Sequence, residues 1–350
     1  MKIGINLLAS SEYEPDDLFC RFIYKCLSHA IQLQETTEFF VFFNEGIEYN
    51  KWAGWPVITN MKKHERFFSS FSPRGSILDP LIKKFKIEAV ITPLETAHFI
   101  TCVPCIPLIV HIEHWYRGVL KENFFSKRES KMIFQESPLW FTASEYARRS
   151  CMEMWKVPLN KIITLLAGVD PILSKPAHTL IAPPYLISVV DDATFYHLPK
   201  MLEVMQHFCR EQPHTIVLLG KHHSKEPEVW GENIFRVEEC PDQTLAGLFQ
   251  NATAFIYPAI YDGSALRPIE AMQAGTCVIT PPGPAIEERC GELPFYYNIE
   301  SSSSLNAVLH RVINLPQPER EERIRLGRLR VVEHTWEQTT WKLITALKRI

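Results

Sequence analysis

Short apolar runs alternate with longer amphipathic stretches along most of this 350-residue chain. In the first half, the apolar runs cover residues 2–8, 39–43, 57–59, 87–91, 108–112 and 140–143. They are rich in the β-branched and aromatic residues that favour strands. Residues 18–33 instead repeat their apolar positions at helical spacing, which predicts a helix. Strands that alternate with helices predict an α/β protein whose parallel sheet carries helices on both faces.

The same alternation resumes after a proline-rich passage. Four prolines fall between residues 171 and 184, a density typical of a linker between domains. Beyond it, strands are predicted at 185–190, 215–219, 254–257 and 276–280, and helices at 199–209, 244–250 and 301–313. We therefore predict an N-terminal domain at 1–175, a C-terminal domain at 176–330, and a C-terminal helix at 331–350 that packs back towards the N-terminal domain.

Composition narrows the class of protein. Hydrophobic residues make up 46% of the chain and charged residues 22%, the values of a soluble globular protein. A formal net charge of −3 gives no strong field that would attract nucleic acid. The nine cysteines are odd in number and scattered, which favours reduced thiols in a cytoplasmic protein. The apolar start is too short for a secretion signal, and no apolar stretch is long enough to predict a transmembrane helix.

One segment, residues 51–86, differs from its surroundings in charge. It carries eight Lys or Arg against two acidic residues, a balance of +6, with apolar residues interleaved. The favoured interpretation is a pair of amphipathic helices whose charged faces are solvated. The other is peripheral contact with the inner face of an anionic membrane, or with a lipid-phosphate acceptor.

The segment 254–275, AFIYPAIYDGSALRPIEAMQAG, is predicted to form a strand, a turn-rich loop and a helix that begins at Pro268. Asp262 and Glu270 flank the point where the strand gives way to the N-terminus of the helix. Backbone N–H groups at Gly263, Ser264 and Ala265 are expected to face the same crevice. Such a place binds phosphate, and carboxylates there accept hydrogen bonds from sugar hydroxyls.

Seven residues separate Asp262 from Glu270, and the segment continues as AMQAGTCVI to residue 279. This pattern resembles the Glu-Gly-Phe-Gly-Leu-Pro-x-x-Glu-Ala-Met-Ala-x-Gly-x-Pro-Val motif of the retaining glycosyltransferases of family 4, group 1 type, with Asp262 in place of the usual Glu. Residues 286–292, IEERCGE, resemble the family's Leu-Pro-Glu-Val-x-Gly-Asp, and 334–339, HTWEQT, its Phe-Ser-Trp-Glu-x-Thr. In the N-terminal half, IVHIE at 109–113, TASEYA at 142–147 and KIITLLAGVD at 161–170 agree more loosely.

The resemblance covers most of residues 100–340 and implies the GT-B fold: two Rossmann-like, doubly wound parallel-sheet domains that face a cleft. It also implies a nucleotide-sugar donor held by the C-terminal domain, with no metal and no further cofactor. Glu270 would bind the ribose hydroxyls, and Asp262 hydroxyls of the transferred sugar. The backbone at 263–266 (Gly263, Ser264, Ala265, Leu266) would cradle the diphosphate, and His111 would reach the reaction centre from the N-terminal domain.

A structural role remains an alternative for each of these side chains. Glu270 also suits the first turn of a helix, where a carboxylate complements the helix dipole. Asp262 also suits a turn beside a glycine, and His111 is also explained as a partly buried ring at the end of a strand.

The chain departs from the family where donor phosphates are usually gripped. The family places an Arg and a Lys in Gly-Arg-Leu-x-x-x-Lys-Gly, whereas residues 190–200 here read VDDATFYHLPK. Asp191 and Tyr196 stand where the two cations belong. Lys200, Lys221 and Arg267 are the candidates to replace them, and Arg267 is the first to test.

Two functions follow from these residues. The leading hypothesis is a cytoplasmic retaining glycosyltransferase of hexosyltransferase type, which moves a sugar from a nucleotide donor to a glycan or lipid-linked acceptor in polysaccharide biosynthesis. The alternative is a catalytically degenerate GT-B protein that acts as a binding or partner subunit. The missing Arg and Lys favour the second, whereas the Asp262–Glu270 spacing and His111 favour the first.

Overall fold

The structure is a computed structural model. It describes residues 1–7, 18–32, 37–44, 57–61, 78–94, 97, 102–110, 112, 131–179, 181–191, 194, 197–220, 233–238, 240–260 and 262–350. The chain divides into two compact units, Met1–Leu166 with Trp336–Ile350 and Ala167–Thr335. From the sequence, the division is predicted after residue 175 and the terminal helix is predicted to begin at residue 331.

The first unit holds a parallel sheet, in which the described strands follow the order β3-β2-β1-β4-β5-β6-β7. These strands are β1 (Lys2–Asn6), β2 (Glu38–Asn44), β3 (Val57–Met61), β4 (Ala89–Thr92), β5 (Cys105–Ile109), β6 (Trp140–Thr142) and β7 (Ile162–Thr164). The α-helices described beside them are α1 (Leu18–Gln32), α2 (Asp79–Phe85) and α3 (Glu145–Trp155). Ser144 caps α3 by accepting a hydrogen bond from the backbone N of Ala147 at 3.0 Å, as an N-cap hydroxyl should.

The last helix of the chain, Trp336–Leu347, belongs to this first unit. Its Thr340 hydroxyl donates to the carbonyl of Cys26 on α1 at 3.2 Å. The ring of Trp336 meets that of Phe22 edge to face, with centroids 5.4 Å apart. The terminal helix is separate from the one before it, because residues 332–335 leave the helical path. There Val169 N donates to His334 O at 2.8 Å and Val169 pairs with Thr335.

The second unit contains a second parallel sheet, with strand order β10-β9-β8-β11-β12-β13. Its strands are β8 (Tyr185–Val189), β9 (Thr215–Leu219), β10 (Ile234–Val237), β11 (Ala254–Ile256), β12 (Val278–Thr280) and β13 (Phe295–Tyr296). Its helices are α4 (Leu198–Glu211), α5 (Asp242–Gln250), α6 (Leu266–Ala274), α7 (Pro284–Cys290), α8 (Ser302–Ile313) and α9 (Gln317–Val331). Apolar side chains of α4 and α8 pack on this sheet and form its core.

The strand order of the second sheet identifies where a ligand is expected. The chain moves outwards from β8 to β10 on one side, then returns to the centre and moves from β11 to β13 on the other. In open α/β sheets, ligands bind beyond the carboxyl ends of the strands where the order reverses. Here that point lies between β8 and β11, which pair directly.

Only part of the basic segment 51–86 falls within the described residues. Strand β3 and helix α2 are present, and α2 buries Ile82 while Lys83 and Lys84 are exposed. This half-buried helix agrees with the favoured interpretation for its own length. None of the helices in the described part of the chain is both long and apolar enough to span a bilayer.

Candidate functional site

Asp262 lies in the loop after β11 and is almost completely buried, with 1% of its surface exposed. Its Oδ2 atom accepts a hydrogen bond from the Tyr257 hydroxyl at 2.9 Å. Its Oδ1 atom accepts from the backbone N of Ser264 at 2.7 Å and from the Ser264 hydroxyl at 3.0 Å. A buried carboxylate needs such donors. The structure therefore shows Asp262 shaping its own loop, and a role towards a sugar stays a prediction.

Helix α6 begins directly after this loop, and Ala265 makes the turn into it. Ala265 has φ 50° and ψ 31°, in the left-handed region that residues other than glycine seldom adopt. The backbone N of Leu266 donates to the Ser264 hydroxyl at 3.3 Å. The N–H of Ala265 has no hydrogen-bond partner among the residues that the structure describes, although Ala265 is buried. A buried backbone donor left in this way, at the positive end of a helix, suits an anion.

Arg267 and Glu270 form a buried ion pair one turn apart on α6. Arg267 Nη1 lies 3.1 Å from Glu270 Oε2, and the two side chains are 9% and 2% exposed. From the sequence, Arg267 is predicted to be a cation available to the diphosphate. In the structure its charge is already balanced by Glu270. Its Nε atom is buried and has no hydrogen-bond partner within the part of the chain that the structure describes.

Asp191 follows β8, so it stands across the switch point from Asp262. Its Oδ1 accepts from the backbone N of Thr194 at 2.9 Å, and its own backbone N donates to the Thr194 hydroxyl at 3.0 Å. The Oδ2 atom is buried and has no hydrogen-bond partner among the described residues. Burial raises the pKa of Asp191 to about 6, and Arg267 nearby lowers this pKa whereas Asp262 raises it further. A carboxylate thus occupies the place where the family pattern has a cation.

Arg289, on α7, is the residue that sequence reasoning missed. It is 1% exposed, and its Nη1 donates to the carbonyl of Ser264 at 2.8 Å while Nη2 donates to the carbonyl of Ala167. Burial lowers the pKa of the guanidinium to about 10. One signal was available, because Arg289 stands where the family's Leu-Pro-Glu-Val-x-Gly-Asp pattern has its valine.

Three further residues that the sequence predicts for the site are His111, Lys200 and Lys221. His111 and Lys221 lie outside the described residues. Lys200 is bound elsewhere, since its Nζ donates to the carbonyl of Glu300 at 2.7 Å. Within the described ranges, no group of three or more His, Cys, Asp or Glu is arranged to hold a metal ion.

Replacing Asp191 with asparagine is expected to stabilise the protein at neutral pH. The pKa of Asp191 is about 6 in the folded protein, above the ordinary value of 3.8. Between pH 3.8 and pH 6, the folded state therefore binds a proton that the unfolded state has released. Stability should therefore fall as pH rises through this window. Asparagine keeps the acceptor for Thr194 without the charge, and we expect a gain of about 1–2 kcal/mol at pH 7–8 that vanishes near pH 4. Urea unfolding from pH 4 to 8 measures this; a difference independent of pH would contradict it.

Comparison with known protein sequences adds two findings. Residues 183–327 match the family model described as glycosyl transferases group 1. A comparison with curated protein sequences finds no match.

Solved structures match the chain over nearly its whole length. A glycosyltransferase from Rickettsia africae ESF-5 has a TM-score of 0.70 at 12% identity, over 99% of this chain and 97% of that one. HepE from Anabaena in complex with UDP and glucose has a TM-score of 0.71 at 12% identity, over 100% of each chain. Sucrose-phosphate synthase from Thermosynechococcus elongatus has 0.71 at 14%, over 100% and 98%.

These similarities confirm the predicted fold class, α/β of the GT-B type with two parallel-sheet domains. At such low identity they show the fold alone. Membership of family 4 and retention of configuration stay predictions. The chain is thus similar to group 1 glycosyltransferases in the sequence of its second unit, and to GT-B glycosyltransferase structures over its length.

Proposed function

We propose that this protein is a metal-independent, retaining glycosyltransferase of hexosyltransferase type, which moves a sugar from a nucleotide donor to a glycan or lipid-linked acceptor. The observation that carries the proposal is the loop at the switch point of the second sheet. It brings together a buried carboxylate, an unpaired backbone N–H and the positive end of α6, within the segment that matches group 1 glycosyltransferases. These are the groups that a sugar diphosphate requires.

In this proposal Glu270 accepts hydrogen bonds from the ribose hydroxyls. Its Oε2 atom already accepts from Arg267, so ribose and Arg267 would share one carboxylate. Arg267 would thereby remain close to the diphosphate while its charge is partly neutralised. Asp262 would meet hydroxyls of the transferred sugar, and the backbone at 263–266 would hold the phosphates.

Two further residues, His111 and Lys221, complete the proposed machinery. His111 would bind a hydroxyl of the donor sugar and stabilise the positive charge that develops on the sugar ring. Lys221 would stand near the leaving diphosphate and offset its growing negative charge.

We place the protein in the cytoplasm, in polysaccharide biosynthesis. Peripheral membrane contact through 51–86 belongs to the same proposal, supported by the exposed lysines of α2.

Ligand binding separates the proposed function from a purely structural role of the loop. Thermal unfolding is measured with UDP, GDP, ADP or CMP, each beside its nucleoside. We expect one nucleotide at millimolar concentration to raise Tm by several degrees, since a ligand at about 100 times its Kd adds about 2.7 kcal/mol. With that nucleotide identified, His111→Ala should bind it equally well and lose sugar transfer. Failure of every nucleotide to stabilise the protein would remove the proposal.

The second candidate, a degenerate binding or partner subunit, is favoured by one observation. Both arginines described at the site are engaged within the protein, Arg267 with Glu270 and Arg289 with two carbonyls. Asp191 adds a negative charge near Arg267. This candidate predicts that a nucleotide binds but that no nucleotide sugar releases its nucleoside diphosphate. His111→Ala should then change neither measurement.

A further inference from the structure

Arg289 connects the loop between β11 and α6, which holds Asp262 and Ser264, to the start of the second unit. One guanidinium nitrogen holds the Ser264 carbonyl in the loop, and another holds the carbonyl of Ala167, the first residue of this unit. The two bonds span 25 and 122 positions of sequence. A single side chain therefore fixes the loop relative to a distant part of the same unit.

The charge of Arg289 is retained in spite of its burial. Removing a guanidinium from water is costly, and this cost lowers its pKa to about 10. Arg289 still carries its proton at pH 7. Glu288 and Asp262 lie near enough to raise its pKa again, so the guanidinium and the Asp262 carboxylate act on each other. A fixed positive charge thus lies within electrostatic reach of the loop, at a position where the family pattern has an uncharged valine.

The Ser264 carbonyl and the Ala265 N–H are two ends of one peptide group. The cis peptide recorded for the described residues is at Pro183-Pro184, so this peptide is trans, and in a planar trans peptide the carbonyl and the N–H point in opposite directions. By holding the carbonyl, Arg289 directs the N–H away from itself. That N–H is the buried donor without a partner. A hydrogen bond at the carbonyl also polarises the N–H and strengthens it as a donor.

We propose that Arg289 is a positioning residue for the donor diphosphate. It fixes the Ser264–Ala265 peptide so that the Ala265 N–H donates to a phosphate oxygen, and its charge supplies part of the positive field of the absent Arg and Lys. The inference rests on the proposed function, because it assigns Arg289 to the same ligand. It requires Arg289 to matter for the diphosphate and not for the nucleoside.

The test compares two ligands on three variants. Calorimetric titration gives the Kd of the nucleoside diphosphate identified above and of its nucleoside. Arg289→Met should weaken the diphosphate about 10- to 100-fold and change the nucleoside less than about twofold. Arg289→Lys, which keeps the charge with fewer donors, should lie between. The matched control is Arg320→Met, because Arg320 also binds two carbonyls, of Thr253 and Val312, outside the loop. It should leave the ratio of the two Kd values unchanged.

Chemical rescue separates positioning from packing. Guanidinium ion at low millimolar concentration should restore diphosphate affinity to Arg289→Ala, and urea, of similar shape without charge, should not. Equal loss for both ligands, no loss, or equal rescue by urea would each overturn the inference.

Inorganic pyrophosphate, titrated alongside, decides the inference even if no nucleotide binds, an outcome that by itself removes only the proposed function. If wild-type protein does not bind pyrophosphate, the proposed role of Arg289 is overturned. Should the Arg289 variants not fold, the amide resonance of Ala265 is followed in wild-type protein labelled with 15N-alanine. Ala265→Gly assigns it, since glycine tolerates the left-handed backbone. The resonance must move with pyrophosphate, and a stationary resonance contradicts the proposal.

Discussion

Replacing Glu270 with alanine is expected to lower the free energy of unfolding by about 3–5 kcal/mol, because the change leaves the buried Arg267 guanidinium charged and without its partner. Arg267 Nη1 and Glu270 Oε2 are 3.1 Å apart, and both side chains are shielded from water. An unpaired buried charge therefore destabilises the protein far more than the intact pair stabilises it relative to apolar side chains at the same two positions. Urea unfolding at pH 7 measures the loss through the midpoint and its slope.

The chain offers a matched control on α9. Glu322 and Arg325 form an ion pair with the same three-residue spacing and a 2.7 Å contact, but their side chains are 53% and 59% exposed. Glu322→Ala should leave the free energy of unfolding nearly unchanged, because solvent screens an exposed pair. The double variant Arg267→Met with Glu270→Met should recover most of the loss from Glu270→Ala. A loss below about 1 kcal/mol for Glu270→Ala would show that Arg267 is hydrated.

This pair shows how far the sequence could go. The spacing of Asp262 and Glu270 and the strand–loop–helix pattern around them are local, and the structure agrees with both. The predicted helix began at Pro268, however, and so excluded Arg267. The observed helix begins at Leu266, which places Arg267 and Glu270 three positions apart on one helix, where side chains meet. An error of two residues at a helix end therefore hid an ion pair.

Arg289 could not be paired from sequence for a different reason. Its hydrogen-bond acceptors are backbone carbonyls, which carry no residue identity, and one of them lies 122 positions away. The strand order is equally non-local. Alternating elements predict a parallel sheet, but only the observed order β10-β9-β8-β11-β12-β13 brings Asp191 and Asp262 to neighbouring strand ends. Chemistry at the site depends on these long-range placements.

Replacing Asp262 with alanine should cost about 2–4 kcal/mol of stability, since it leaves three donors without their acceptor: the Tyr257 hydroxyl and the backbone and side chain of Ser264. The Ser264 hydroxyl would then lose the orientation in which it accepts a hydrogen bond from the backbone N–H of Leu266. The turn through Ala265 would loosen, and in the proposed function the diphosphate would lose its cradle. Urea unfolding, with titration of the bound nucleotide, measures both consequences.

Tyr257→Phe is the control that separates the loop from the carboxylate. It removes one of the three donors and leaves Ser264 bonded to Asp262, so we expect a loss of about 1 kcal/mol and an unchanged nucleotide Kd. Asp262→Asn retains one acceptor oxygen but has no charge, and it should lie between the two in stability. Should Asp262→Ala unfold like Tyr257→Phe, the Ser264 bonds would contribute little. The turn would then depend on the contact between Arg289 and the Ser264 carbonyl, which all three variants keep.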